Sequence, residues 1–379
     1  MAVLAVPLAL LSACGSAAPA KVAAAAGPVQ VSVSACGQGW TATRAGAQKI
    51  ELKNTDSRAG EVQLISAKTG ALFAAIEPFG PGTTRELDIS LAAGDYQLRC
   101  LMEDEAAITG AAFSLTGKGV GDSRGVVPQT EADLISPTKK YESYVKGRLP
   151  ALARETERLS ADIARGELGN ARKDWLVAHL AYERLGAAYD AFGDLDGAIN
   201  GLPNGLPRGV HDASWSGFHR IEYGLWHGAS ATTLNAPAGQ LEQDIVALRK
   251  QFRTVQIDPL TVTIRAHEIT ENALQFALTG QDDFGSHTGL ATVRANLDGT
   301  TEVLSLLAPQ LRTAGIDRTP ITQGVRRAED LLDAQHHNGV WVSETALPRT
   351  AREDIDAAIS ELTELLAPVA AALEPRRIS

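Results

Sequence analysis

Gly217-Phe218-His219-Arg220-Ile221-Glu222-Tyr223-Gly224-Leu225-Trp226-His227 is the stretch on which the reading turns. On a helix, His219 and Glu222 stand three residues apart, which brings an imidazole and a carboxylate onto one face with Cβ atoms roughly 5–6 Å apart. Such a pair can share a cation. Di-metal carboxylate bundles use the mirrored order, Glu-x-x-His, for the same geometric reason. The spacing serves equally well for a buried histidine paired with a helical glutamate.

The surroundings extend the constellation. Upstream, Trp175-Leu176-Val177-Ala178-His179-Leu180-Ala181-Tyr182-Glu183-Arg184-Leu185 sets Glu183 among apolar residues. A buried carboxylate needs a partner. Arg184 points about 100° away on a helix, so a facing metal, a lysine or an arginine from another helix is expected to answer Glu183. Asp194 falls on the face of Glu183 if that helix continues, and Asp196 follows the Gly193 break and folds back, or both aspartates solvate a loop. Further on, His267 and Glu271 lie one turn apart as another candidate pair, while His336-His337 precedes Asn338-Gly339 and reads as an exposed loop without a role.

Helical spacing of apolar residues runs from Tyr141 to Arg377, in segments near 138–165, 170–192, 214–227, 239–254, 260–279, 286–312, 318–334 and 350–374. These lengths suit a helical bundle over 138–379. Several chemistries are excluded. The H-E-x-x-H signature, a serine nucleophile elbow and a P-loop are all absent from the sequence. His219 and His227 are eight apart, about 80° off a shared helical face, and make poor joint ligands.

Residues 28–117 have a different texture. Val29, Val31 and Val33, and later Tyr96 and Leu98, alternate at strand period, and Gly80-Pro81-Gly82 and Ala93-Gly94-Asp95 punctuate the runs as in a small β-sandwich. The Gly-, Ser-, Pro- and Asp-rich stretch 118–137 reads as a linker. All eight histidines fall at or after position 179, so the β region cannot build a copper site of the two-His, one-Cys type. At the start, the short apolar run ending Leu11-Ser12-Ala13-Cys14 reads as a lipobox with Cys14 as the lipidated residue, or as an Ala-rich leader. In the first reading 1–27 is a lipoprotein signal and tether, and in either case 17–27 reads as a flexible tether.

The 379-residue length points to more than one domain. Thirty-five Lys and Arg against 45 Asp and Glu give a net charge of -10, which disfavours nucleic acid and anionic membrane surfaces and favours cations. Three cysteines without a C-x-x-C pair exclude zinc ribbons and a disulfide framework.

Gly217 to Trp226, with Trp175 to Phe192 before it and Thr279-Gly280, Ser286-His287-Thr288, Ala295-Asn296 and Leu306-Leu307 after it, resembles the imelysin-like helical domain of the EfeO family of bacterial iron-uptake proteins. The resemblance implies a multidomain chain, an N-terminal all-β cupredoxin-like sandwich followed by a C-terminal all-α helical bundle. It places a metal site on His219 and Glu222, accompanied by Glu183, Asp196 and Glu271. Carboxylates and one imidazole suit iron and also zinc or manganese. It implies either a second metal site, open to copper or zinc, or a disulfide at Cys36 and Cys100, with Glu61, Met102, Glu103 and Asp104 nearby. The implied role is an extracytoplasmic, lipid-anchored iron-binding component rather than an enzyme. Its partners would be an EfeU-type permease and an EfeB-type haem peroxidase. The rival expectations are a ferroxidase, a peptidase-like enzyme or an anionic-polysaccharide-binding module.

Overall fold

The computed structural model describes residues 27–119 and 124–379. Cys14 lies outside the described residues. The chain divides into two compact units, one ending at Gly125 and the other beginning at Val126.

The first unit is all β. One sheet runs β2 (Cys36–Gln38), β1 (Val29–Val31), β3 (Gly46–Asn54), β6 (Thr84–Leu91); the other runs β5 (Leu72–Phe79), β4 (Gly60–Ser66), β7 (Gly94–Met102), β8 (Ile108–Thr109), with β9 (Phe113–Leu115) also on β7. Only the β1–β3 pairing among these is parallel. Alternation explains the packing: Gln48, Ile50, Leu52 and Asn54 of β3 turn inward while the residues between them are exposed. Val29, Val31, Leu64, Phe79 and Leu98 complete the shared core. A disulfide joins Cys36 of β2 to Cys100 of β7, tying one sheet to the other across 64 residues of chain.

The second unit is all α apart from a short ribbon, β10 (His336–His337) with β11 (Val340–Trp341). Its helices are α1 (Glu131–Ala164), α2 (Leu168–Glu183), α3 (Tyr189–Phe192), α4 (Asp194–Asn200), α5 (Gly217–Trp226), α6 (Ala231–Gln251), α7 (Pro259–Asn272), α8 (Gly289–Leu306), α9 (Ala308–Thr313), α10 (Arg318–Asp333) and α11 (Arg349–Leu373). The 34-residue α1 packs on α2 and α6, burying Leu134, Tyr141, Val145, Leu149, Leu152, Leu159 and Ile163 along one stripe. On the other side α11 packs on α7 and α10.

The expected linker 118–137 is shorter than its composition suggested. Helix α1 already begins at Glu131, because Thr130 accepts from the Asp133 N–H while the Asp133 carboxylate accepts from the Thr130 N–H. That reciprocal cap starts a helix regardless of the surrounding Pro and Ser content. The segment drawn as one helix over 170–192 is broken as well, into α2, a 3₁₀ turn Gly186–Ala188 and α3. Helix α7 runs on through a π-helical turn, Ala273–Ala277.

Candidate metal centre

Two glycines set the geometry. Gly193 adopts φ 59°, so the chain reverses after α3 and α4 carries Asp196 back toward α2. Gly217 opens α5 at φ 87°, and a Cβ there would stand 2.2 Å from the Ile199 carbonyl oxygen. Only glycine lets α5 start against the end of α4, and that contact aims His219 inward.

The side chains converge on a cavity of about 250 Å³ inside the helical unit. Its polar wall comes from Glu183 at the end of α2, Asp196 and Asn200 on α4, His219 on α5, Arg265 and Asn272 on α7, Asp282 from the following loop, and Thr292 and Asn296 on α8. Phe276 and Ala277 of the π-turn close the side. Such turns widen a helix locally and recur at functional sites.

Glu222 stands behind His219. One of its oxygens, Oε2, lies 3.2 Å from His219 Nδ1, and the other accepts from the Phe284 and Ser286 backbone N–H groups at 3.0 and 3.1 Å. The carboxylate therefore takes the Nδ1 proton as its hydrogen-bond donor and leaves Nε2 with a lone pair, the arrangement of a metal-binding histidine and its orienting carboxylate. Burial raises the Glu222 acid, but the His219 hydrogen bond and charge, with Ser286, outweigh it and hold the group below its ordinary value.

Glu183 is answered differently from the expectation. Asn200 and Asn296 donate to its two oxygens at 2.8 Å each, and His179 Nε2 lies 3.1 Å from Oε1. Among the described residues no lysine pairs with it, and Arg265 donates to the Gly186 carbonyl and to Glu268. Burial alone would raise Glu183; the His179 imidazole 3.1 Å from it, Asn296 and His219 bring it down to about 2. His179 is stacked on Trp175, meets His219 edge-on with ring centroids 5.2 Å apart, and has neither ring nitrogen in a hydrogen bond of good geometry. Burial lowers its pKa, yet Glu183, Glu222 and Asp282 carry it above the ordinary histidine value.

In the remaining acids burial outweighs the positive charge nearby. Asp196 is raised to about 6 by burial and by Glu183, against the hydrogen bond it accepts from Tyr182 and the charge of Arg265. Asp282 is also raised to about 6, by burial and Glu183 against the pull of His219 and His179. Three carboxylates thus face one cavity with an imidazole lone pair beside them, and Asn200 Oδ1 is buried without a hydrogen-bond partner. This donor set fits a di- or trivalent transition ion.

Of the residues expected from sequence, Glu183, Asp196 and His219 meet at the cavity and Glu222 supports them. Glu271 does not join. It is exposed and sits 3.5 Å from His267, because α7 turns Arg265, Ile269 and Asn272 inward, and position 271 lies about 100° off that stripe. Asp282, the residue that sequence reasoning passed over, takes the place intended for Glu271. It belongs to a loop with no periodicity to mark it, and its one visible signal was the Asp282-Asp283 pair after Gly280. In the β unit the cysteines are joined in a disulfide, so no thiolate is offered there; Glu103 and Asp104 are exposed and Met102 is buried. His336 stacks on Trp341 in the exposed ribbon.

Comparison with known proteins gives one family and a set of relatives. The family described as Imelysin, peptidase M75, matches residues 137–369. Proteins named "Iron uptake system component EfeO" from Escherichia coli O1:K1, Escherichia coli K12 and Shigella flexneri are 26% identical over 238 residues, 63% of this chain. The matched region spans 62% of the length of each of these relatives.

Proposed function

The chain belongs to the imelysin family, and we propose that it is the iron-capturing component of a bacterial uptake system. The observation that carries this reading is the convergence of Glu183, Asp196 and Asp282 on one cavity beside His219 Nε2, with burial and the Glu183 charge raising Asp196 and Asp282 to about 6. A cation bound among these carboxylates offsets their mutual repulsion and competes with protons for the same oxygens. The relatives' name supplies iron as the cargo.

In this reading His219, Glu183, Asp196 and Asp282 hold the ion. Glu222 holds His219 in the tautomer that binds it. The protein acts outside the cytoplasmic membrane, with Cys14 as the lipid attachment, and hands iron to an EfeU-type permease alongside an EfeB-type peroxidase. The peptidase association of the family name has no counterpart in an H-E-x-x-H motif here.

The test is calorimetry with Fe²⁺ under argon and with an Fe³⁺ chelate, on the intact protein and on Asp282→Asn and His219→Ala. Tight binding that collapses in both variants is the expected result. Binding by the two variants equal to that of the unmodified protein would remove the site, and an iron-independent growth phenotype on gene deletion, with other importers also deleted, would remove the transport role.

A further inference from the structure

The loop that contributes Asp282 has a second face. Its next residue, Asp283, lines a separate cavity of about 580 Å³ together with His287 and Glu344. Consecutive residues, about 3.8 Å apart at Cα, thus send one carboxylate to each cavity. The loop between them is clamped by Glu222, which accepts from the Phe284 and Ser286 N–H groups.

The geometry points to a second divalent cation site formed by Asp283, His287 and Glu344, distinct from the His219 centre. One ligand atom from each of the three lies within 4.8 Å of the others, and His287 Nδ1 is 3.6 Å from Asp283 Oδ1. Bonds of about 2.0–2.2 Å to a common ion require the donors to close by only about an ångström. The His287 side chain is 58% exposed and has that freedom.

The two carboxylates are fixed where they are. Asp283 accepts from the Gly285 and Thr288 N–H groups, and Glu344 Oε1 accepts from the Leu290 N–H at the start of α8. Glu344 is only 9% exposed. Among the described residues neither carboxylate pairs with a lysine or arginine. Arg352, which also lines the cavity, gives its Nη2 to the Glu344 backbone carbonyl.

An imidazole with two carboxylates selects a first-row transition ion over Mg²⁺ or Ca²⁺, whose preferred donors are all oxygen. Three protein donors and an open side leave positions for water or for a ligand carried by the ion. The site does not depend on the central one, and it shares only the 282–288 loop with it.

The experiment removes the central site first. In a His219→Ala background, Zn²⁺ is titrated by calorimetry in excess Mg²⁺, and one Zn²⁺ per chain is expected to remain. Adding His287→Asn weakens that ion tenfold or more; asparagine is chosen because residue 287 adopts φ 54°, a region asparagine tolerates. Adding Glu344→Gln does the same while keeping the oxygen that caps α8. On the unmodified protein, Zn²⁺ should shield His287 from diethylpyrocarbonate, read by mass spectrometry of its peptide. Zn²⁺ binding unchanged by both added substitutions, or His287 modified equally with and without Zn²⁺, would overturn the proposal. Failure of the central site would show instead as a His219→Ala protein that binds as many ions as the unmodified chain.

Discussion

The two units solve opposite problems. The β unit buries an apolar interior between two sheets and ties them with one disulfide, and it contains no histidine. The helical unit, with a far larger apolar core, also buries His179, Glu183, His219 and Glu222 at 7% exposure or less. A small sandwich has little apolar area to spare and gains from a covalent tie. A large bundle can carry the desolvation of several charges, and the contrast separates a unit tied covalently from one that accepts buried charge.

That contrast can be broken or sharpened experimentally. Cys36→Ser/Cys100→Ser opens a 64-residue loop and is expected to destabilise the β unit by about 4 kcal/mol on the loop-entropy account. Denaturant melts monitored in that unit will read it, with iron affinity of the full chain unchanged. An equal loss of iron binding would show that the β unit holds cargo.

His219→Ala should weaken iron binding by about a hundredfold or more, about 2.7 kcal/mol, while leaving the β-unit transition where it was. Glu222→Gln should cost roughly 10–100-fold. Its amide would face His219 Nδ1 as a donor, forcing the proton onto Nε2 and covering the lone pair. Unaltered affinity in Glu222→Gln would assign the carboxylate a purely structural role.

Acid should act on the same centre. Asp196 and Asp282 hold protons up to about pH 6, so between pH 7 and pH 5 each takes up a proton that an entering cation must displace. Affinity is expected to fall by about 10–100-fold over that interval, each carboxyl being roughly nine-tenths protonated one unit below its pKa. Carboxylates of ordinary pKa would stay mostly ionised at pH 5 and give a much flatter profile. The smallest effect belongs to the boundary of the helical unit: Thr130→Ala removes the reciprocal cap of α1 and should cost about 1 kcal/mol in a denaturant melt.

Much of this organisation is legible in the chain itself. The switch from alternation to helical spacing separates the units because side-chain period is a local property of the backbone. The three-residue interval from His219 to Glu222 and the break at Gly193 are legible for the same reason, and Asp196 does fold back. Glu271 and Asp282 mark the limit. The sequence offered Glu271 one turn from His267 on a helix, whereas which face of α7 looks inward depends on α8 and α11 packing against it. Asp282 follows a π-turn and a loop, where no period links residue number to direction.

Fold class, the confinement of histidine to the helical unit and the identity of the imidazole–carboxylate pair are set by the sequence alone, since each rests on composition or on spacing within one element. The tertiary structure decided the rest. It set Glu222 against His219 Nδ1, joined Cys36 to Cys100, and sent Asp282 into one cavity and Asp283 into another. Those outcomes depend on which surfaces of distant segments meet, and helix packing and sheet pairing settle that only when the whole chain has folded.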